Sequence, residues 1–165
     1  MSDLKKILEL ALSFERSGQE FYKSNMEKVK QALARETFKY LMDMESSHVE
    51  FIRKMIEKLK TDETINIEAT GEKDEIFKER LKSQALSSNT YSNDLADLSI
   101  LRMAYLIEKD FVEYYGKASE KIEDDRAKKL LTTLRVWEEG HMELLKRLME
   151  RIYEKNALDL GFYPF

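Results

Sequence analysis

"VWEEGHMELL", residues 136–145, decides how the rest of the chain is read. It contains Glu138 and, three residues later, His141, one of only two histidines in the protein. The other, His48, stands in "MESSH" (44–48), again three residues after a glutamate, Glu45. Residues three apart share one face of an α-helix. Apolar residues continue that face on both sides. One stripe runs Leu131, Leu134, Glu138, His141, Leu145, Leu148, Ile152; the other runs Phe38, Leu41, Glu45, His48, Ile52, Met55, Leu59. The Glu–His pairs therefore fall in phase with the leucines, at positions that face a core and not solvent.

Two further stripes have the same spacing: Leu4, Leu8, Ala11, Glu15, Gly18, Tyr22, Val29, and Leu101, Ala104, Glu108, Phe111, Tyr115, Ala118, Ile122. Five glycines and a single proline, Pro164, leave little to interrupt helices. The pattern predicts an all-α four-helix bundle with helices near 3–29, 33–60, 94–121 and 125–155.

The chain also repeats itself. An offset of 93 residues carries Leu8 to Leu101, Ala11 to Ala104, Glu15 to Glu108, Tyr22 to Tyr115, Glu45 to Glu138 and His48 to His141. It lays "FIRKMIE" (51–57) on "LLKRLME" (144–150). Each half thus reads as one helical hairpin, 3–60 and 94–155. Glu15 and Glu45 are 30 residues apart, as are Glu108 and Glu138, so their midpoints fall at residues 30 and 123. There the stripes pause, at "KVKQ" and "KIEDD", with Asp124 or Asp125 available to cap the last helix. A turn at each midpoint sets the two glutamates of a hairpin at one level.

Residues 61–93 form the crossover between hairpins. "TDETINIEATGEKDE" is polar, "EIFKERLKSQAL" has the makings of a short helix, and "SSNTYSND" is loop-like. A helix of about 25 residues is about 38 Å long, so the crossover must run back along the bundle if the second hairpin begins at the opposite end. The 156–165 tail, with "LDLGFYPF" at 158–165, is apolar and aromatic; it is expected to dock on its own bundle or a partner subunit, or to fray. The whole of 1–165 is read as a single domain.

Composition narrows the function classes. Charged residues make up 36% of the chain with signs interspersed and a net charge of −4, unlike the basic face of a nucleic-acid binder. No apolar run approaches the ~18 residues of a membrane span. The N-terminus shows no signal-peptide pattern, which leads to the expectation of a cytoplasmic protein. With no cysteine, thiol catalysis, disulfides and thiolate-held metals are excluded.

Four glutamates and two histidines on core faces need something to offset them, because burying unpaired carboxylates costs several kcal/mol each. The inventory Glu15, Glu45, His48, Glu108, Glu138 and His141 is a carboxylate–imidazole set that suits iron or manganese. Two divalent cations would neutralise the four carboxylates. One Glu from each of two helices and Glu-x-x-His from each of the other two is a pattern of di-iron bundles.

The segments "ALSFERSGQEFY" (11–22), "YLMDMESSHVEF" (40–51), "MAYLIEKDFVEYY" (103–115) and "VWEEGHMELL" resemble the rubrerythrin-like branch of the ferritin-like superfamily. The resemblance covers both hairpins. It implies a ferritin-like bundle holding two iron ions, with manganese or zinc as substitutes. It implies that Glu45 and Glu138 bridge the metals, that Glu15 and His48 complete one and that Glu108 and His141 complete the other. Tyr22 and Tyr115, seven residues after the terminal glutamates, would hydrogen-bond ligand carboxylates and join Glu15, Glu45, Glu108 and Glu138 as the residues of the chemistry.

The expected activity is that of a di-iron oxidoreductase reducing hydrogen peroxide, and the alternative is ferroxidase or iron handling. Oxygen activation on an organic substrate has no specific signal. Two departures bear on this. Rubrerythrins proper carry a four-cysteine rubredoxin-like domain that delivers electrons; here electrons must come from a separate, rubredoxin-like donor protein. They also carry an extra carboxylate three residues after the third-helix glutamate, where this chain has Phe111. A homodimer is the expected assembly, and the long crossover allows a domain-swapped one. Trp137 is read as helix-edge packing or an electron relay. Phe14, Phe21, Phe111 and Tyr114 are read as packing or the lining of a substrate pocket.

Overall fold

The computed structural model describes residues 2–61 and 74–156; the tail from residue 157 on and much of the polar first half of the crossover lie outside them. The described residues form α1 (Ser2–Asn25), α2 (Ala32–Thr61), α3 (Asp74–Ser83), α4 (Tyr91–Lys121) and α5 (Asp125–Lys155). They contain no strand. The architecture is an all-α ferritin-like bundle of two helical hairpins, α1–α2 and α4–α5, packed face to face.

The hairpin turns fall on the expected midpoints. The first connection spans 26–31 and the second 122–124. Asp124 caps α5, its carboxylate accepting from the backbone of Arg126 at 2.8 Å and Ala127 at 3.0 Å. α1 stops at Asn25, four residues short of the expected end. There the backbone tightens, with Lys28 N–H bonding Asn25 O at 3.0 Å, and Val29 is buried as a loop residue. α4 starts at Tyr91, earlier than expected, because Thr90 accepts from Asn93 N–H at 3.1 Å and caps the helix inside the stretch read as loop.

The expected short helix of the crossover is α3. Its Phe77 stacks on Tyr40 with centroids 4.3 Å apart, and Leu81 is buried. Arg151 on α5 donates to the carbonyls of Leu81 and Gln84, both at 2.7 Å, which ties the end of α3 to the bundle.

α4 begins beside the first hairpin turn, a register that Asp97 sets. Its two carboxylate oxygens accept from the backbone N–H of Lys30 at 2.7 Å and Gln31 at 2.8 Å, so a residue of α4 closes the entry to α2. One turn earlier, Asp94 accepts from Gln31 Nε2 at 3.0 Å, Lys155 Nζ at 2.5 Å and Asn156 Nδ2 at 2.8 Å. Three chain segments are thereby fastened at one end of the bundle. Asp97→Ala should cost about 2–4 kcal/mol, because it leaves N–H donors without acceptors. That corresponds to a melting temperature lower by about 5–15 °C. An unchanged thermal melt would mean that water takes over both bonds.

The interior divides into two apolar clusters. One contains Phe38, Leu41, Leu101, Leu145 and Leu148; the other contains Leu8, Ile52, Phe111, Leu131 and Leu134. The polar residues of the four stripes lie along the same faces between them. No helix among the described residues is long and apolar enough to cross a membrane.

Candidate metal centre

All six residues singled out in the sequence meet at this waist. Glu15, Glu45, Glu108, Glu138 and His141 are fully buried, and His48 is 2% exposed. Each helix of the two hairpins contributes at the level where its stripe turns from apolar residues to carboxylate. The side chains form two overlapping groups, Glu15–Glu45–His48–Glu138 and Glu45–Glu108–Glu138–His141; in each, the candidate ligand atoms lie within 4.8 Å of one another. Glu45 and Glu138 belong to both.

His48 Nδ1 lies 3.0 Å from Glu15 Oε2, 3.0 Å from Glu138 Oε1 and 3.7 Å from Glu45 Oε2. His141 Nδ1 lies 3.1 Å from Glu45 Oε1, 3.0 Å from Glu138 Oε2 and 3.7 Å from Glu108 Oε1. The two imidazole planes are nearly parallel, 4° apart, with centroids 5.2 Å apart. A ring N–H points along one direction, so it cannot serve two oxygens at 3 Å well. Glu45 Oε2, Glu108 Oε2 and both oxygens of Glu138 have no partner of hydrogen-bond geometry. Buried carboxylate oxygens in that condition call for a cation. Oxygen donors with one imidazole per group fit iron or manganese, so the residues present fit a metal pair.

Without metal, the cluster must hold protons instead. Burial pushes Glu45 well above the usual carboxylate range, and the charges of Glu138, Glu15 and Glu108 push it further. Burial and the charge of Glu138 raise Glu108 to about 7, against the pull of His141. Burial also acts to raise Glu15, but hydrogen bonds with Glu45, His48 and Tyr115 outweigh it and hold that carboxyl below its ordinary value. Burial would lower both histidines; the carboxylates around them, Glu138 foremost, raise both well above the ordinary imidazole value.

Tyr22 and Tyr115 donate to this layer across the hairpin boundary. Tyr22 on α1 donates its hydroxyl to Glu108 Oε1 on α4, and Tyr115 on α4 donates to Glu15 Oε1 on α1. Burial, then the adjacent carboxylate charge, pushes both phenols well above their usual range, so both remain donors.

Trp137, 9% exposed, stacks on His48 with centroids 4.7 Å apart and planes 15° apart, and Phe51 meets it edge-on at 5.2 Å. It is the chain's only tryptophan. Its fluorescence is expected to fall when Fe(II) or Co(II) binds. The quench should be weakened more by His48→Ala than by His141→Ala, and equal loss in both variants would count against this placement. Phe14, Phe111 and Tyr114 pack together, and Phe21 packs on Tyr22 and Phe38. Asp94, Asp97 and Gln31 are buried polar residues that the sequence reading passed over. The signal was present for the aspartates, since 94, 97, 101, 104 and 108 continue one stripe.

The fold has a solved counterpart. A hypothetical protein from Pyrococcus furiosus superposes with a TM-score of 0.66 over 96% of each chain at 21% identity, a likeness of fold alone. None of the curated proteins matches the chain. The family model described as rubrerythrin matches residues 6–149, which takes in both hairpins and all six clustered residues. The chain belongs to the rubrerythrin family.

Proposed function

We propose that this protein is a di-iron oxidoreductase that reduces hydrogen peroxide to water with electrons from a separate donor protein. The observation that carries the proposal is the pair of Glu/His groups sharing Glu45 and Glu138. Glu15 and His48 would complete the first metal position, and Glu108 and His141 the second, with Glu45 and Glu138 between the two. When bound, a pair of ferrous ions supplies two electrons and Lewis acidity at adjacent positions. Overall, hydrogen peroxide, two electrons and two protons would give two waters, with the electrons supplied in the end by the donor protein.

The protein's own residues bind, orient and exclude. Tyr22 and Tyr115 fix the carboxylates of Glu108 and Glu15 from the far hairpin. Two apolar clusters keep bulk water from the carboxylates. The candidates for proton supply are a glutamate of the cluster or one of the two tyrosine hydroxyls, Tyr22 held against Glu108 Oε1 and Tyr115 against Glu15 Oε1. The 165 residues hold no cysteine, which supports a separate electron donor, and a rubredoxin-like protein would have the suitable one-electron chemistry.

Stopped-flow absorbance tests the reading. Anaerobic Fe(II)-loaded protein is mixed in parallel with hydrogen peroxide and with oxygen, and ferric absorbance is followed in the near ultraviolet. Faster oxidation by peroxide is expected. Faster oxidation by oxygen would favour ferroxidase chemistry and iron handling. No oxidation by either would remove the redox assignment.

A further inference from the structure

The two halves of the centre match in their ligands but not in the residue one turn beyond the terminal glutamates. The 93-residue offset carries Glu15, Gly18 and Tyr22 to Glu108, Phe111 and Tyr115. Gly18 and Phe111 are therefore equivalent positions with opposite side-chain sizes, and the structure gives the reason. A Cβ on Gly18 would stand 3.2 Å from Phe111 Cε2 and 3.4 Å from both Cδ and Oε2 of Glu45. The edge of the Phe111 ring lies against the bare backbone of Gly18, beside a carboxylate shared by both halves of the centre. That carboxylate's Oε2 has no hydrogen-bond partner.

Phe111 is 5% exposed, and its ring stacks on Phe14, with centroids 5.6 Å and planes 13° apart. Phe14 is only half-buried and meets Tyr114 edge-on at 4.9 Å. From outside inwards on the α1–α4 side, the order is Phe14, Phe111 and the Gly18 notch, then Glu45. Of the other aromatics around the cluster, Tyr22 and Tyr115 are tied to it by their hydroxyl bonds, and Trp137 lies stacked on His48, itself a member of the cluster. Every clustered residue is at most 2% exposed, so a reactant must displace a side chain to arrive. A phenyl ring with no hydrogen bond to break is the least costly to displace, and only as far as the packing beside Gly18 permits.

We propose that Phe111, seated in the gap left by Gly18, is the size filter of the centre. It admits molecules of two or three heavy atoms, such as hydrogen peroxide, and turns away organic hydroperoxides and carboxylates. The proposal rests on the reading that a small oxidant reacts at the Glu/His cluster, and it names the residue that restricts the substrate class.

The test uses Co(II)-loaded protein, whose visible absorbance reports ligands at the metal without turnover. Azide is the small probe and benzoate the large one. Wild type should bind benzoate more than about a hundredfold more weakly than azide, and Phe111→Ala should narrow that ratio to within about tenfold. Phe111→Leu, which keeps apolar bulk and safeguards folding, should fall between them. Gly18→Ala, which presses on both Phe111 and Glu45, should weaken azide itself. An azide-to-benzoate ratio unchanged in both Phe111 variants would overturn the filter. Its failure is distinguishable from failure of the peroxide reading. Protein that opens to benzoate in Phe111→Ala yet reduces no peroxide keeps the filter and loses the reaction. Protein that reduces peroxide with an unchanged ratio does the reverse.

Discussion

Replacing Glu45 by glutamine is expected to make the metal-free protein harder to melt and the metal-treated protein easier to melt than wild type. Burial and the charges of Glu138, Glu15 and Glu108 hold the Glu45 carboxyl well above its ordinary value of 4.5, so at neutral pH the fold works against its ionisation. Glutamine has the same shape and no charge to ionise. The gain should be about 1–3 kcal/mol at pH 7, given the usual cost of forcing a buried carboxyl off its preferred state. For a chain of this size that is roughly 3–10 °C in melting temperature.

The loss is larger. Glu45 belongs to both candidate groups, so its replacement disables both positions at once. Removing an outer partner of a ligand already costs about 10–100-fold in affinity, and removing a shared ligand should exceed that. Metal at a thousandfold excess over its dissociation constant contributes about 4 kcal/mol per site, and that increment should be largely absent from Glu45→Gln. Thermal melts of both proteins, stripped and with Fe(II) or Mn(II), decide the matter. A variant that is destabilised without metal, or stabilised by metal as much as wild type, would sink the argument.

Acidity should move the metal-free and metal-loaded forms in opposite directions. Glu45, Glu108, His48 and His141 all bind protons more tightly in the fold than in the unfolded chain. Where the native state holds the extra protons, stability falls as pH rises. Glu108 alone works between its ordinary 4.5 and about 7, a loss of about 3 kcal/mol across that window. The histidines extend the loss upward from 6.5. Glu15, held below 4.5, works the other way, and its contribution disappears on acidification below that value. The metal-free melting temperature should therefore peak near pH 5 and fall by at least about 6–12 °C towards pH 8. Metal needs deprotonated ligands, so the stabilisation by added Mn(II) or Fe(II) should grow over the same interval. A flat metal-free profile from pH 5 to 8 would mean that the cluster is less protonated than its burial implies.

Four stripes, a 93-residue offset and two Glu-x-x-His pairs determined, from sequence alone, the all-α bundle, its hairpins and the six residues that meet at its waist. Periodicity is a local property: each helix must bury its own face, so a carboxylate in phase with leucines declares its burial before any partner is known. Hairpin turns were legible for the same reason, since equal arms put paired glutamates at one level.

What lies between segments was not legible. That Tyr22 serves Glu108 while Tyr115 serves Glu15 depends on how the hairpins face each other. How the chain enters α2 depends on Asp97, which supplies acceptors for Lys30 and Gln31 from a helix more than sixty residues away. The place of Trp137 on His48 and of Phe111 against Gly18 came from the packing of one helix on another. Local pattern determines which face turns inward; the meeting of side chains across helices is set by tertiary packing, because those contacts join residues that no sequence interval relates.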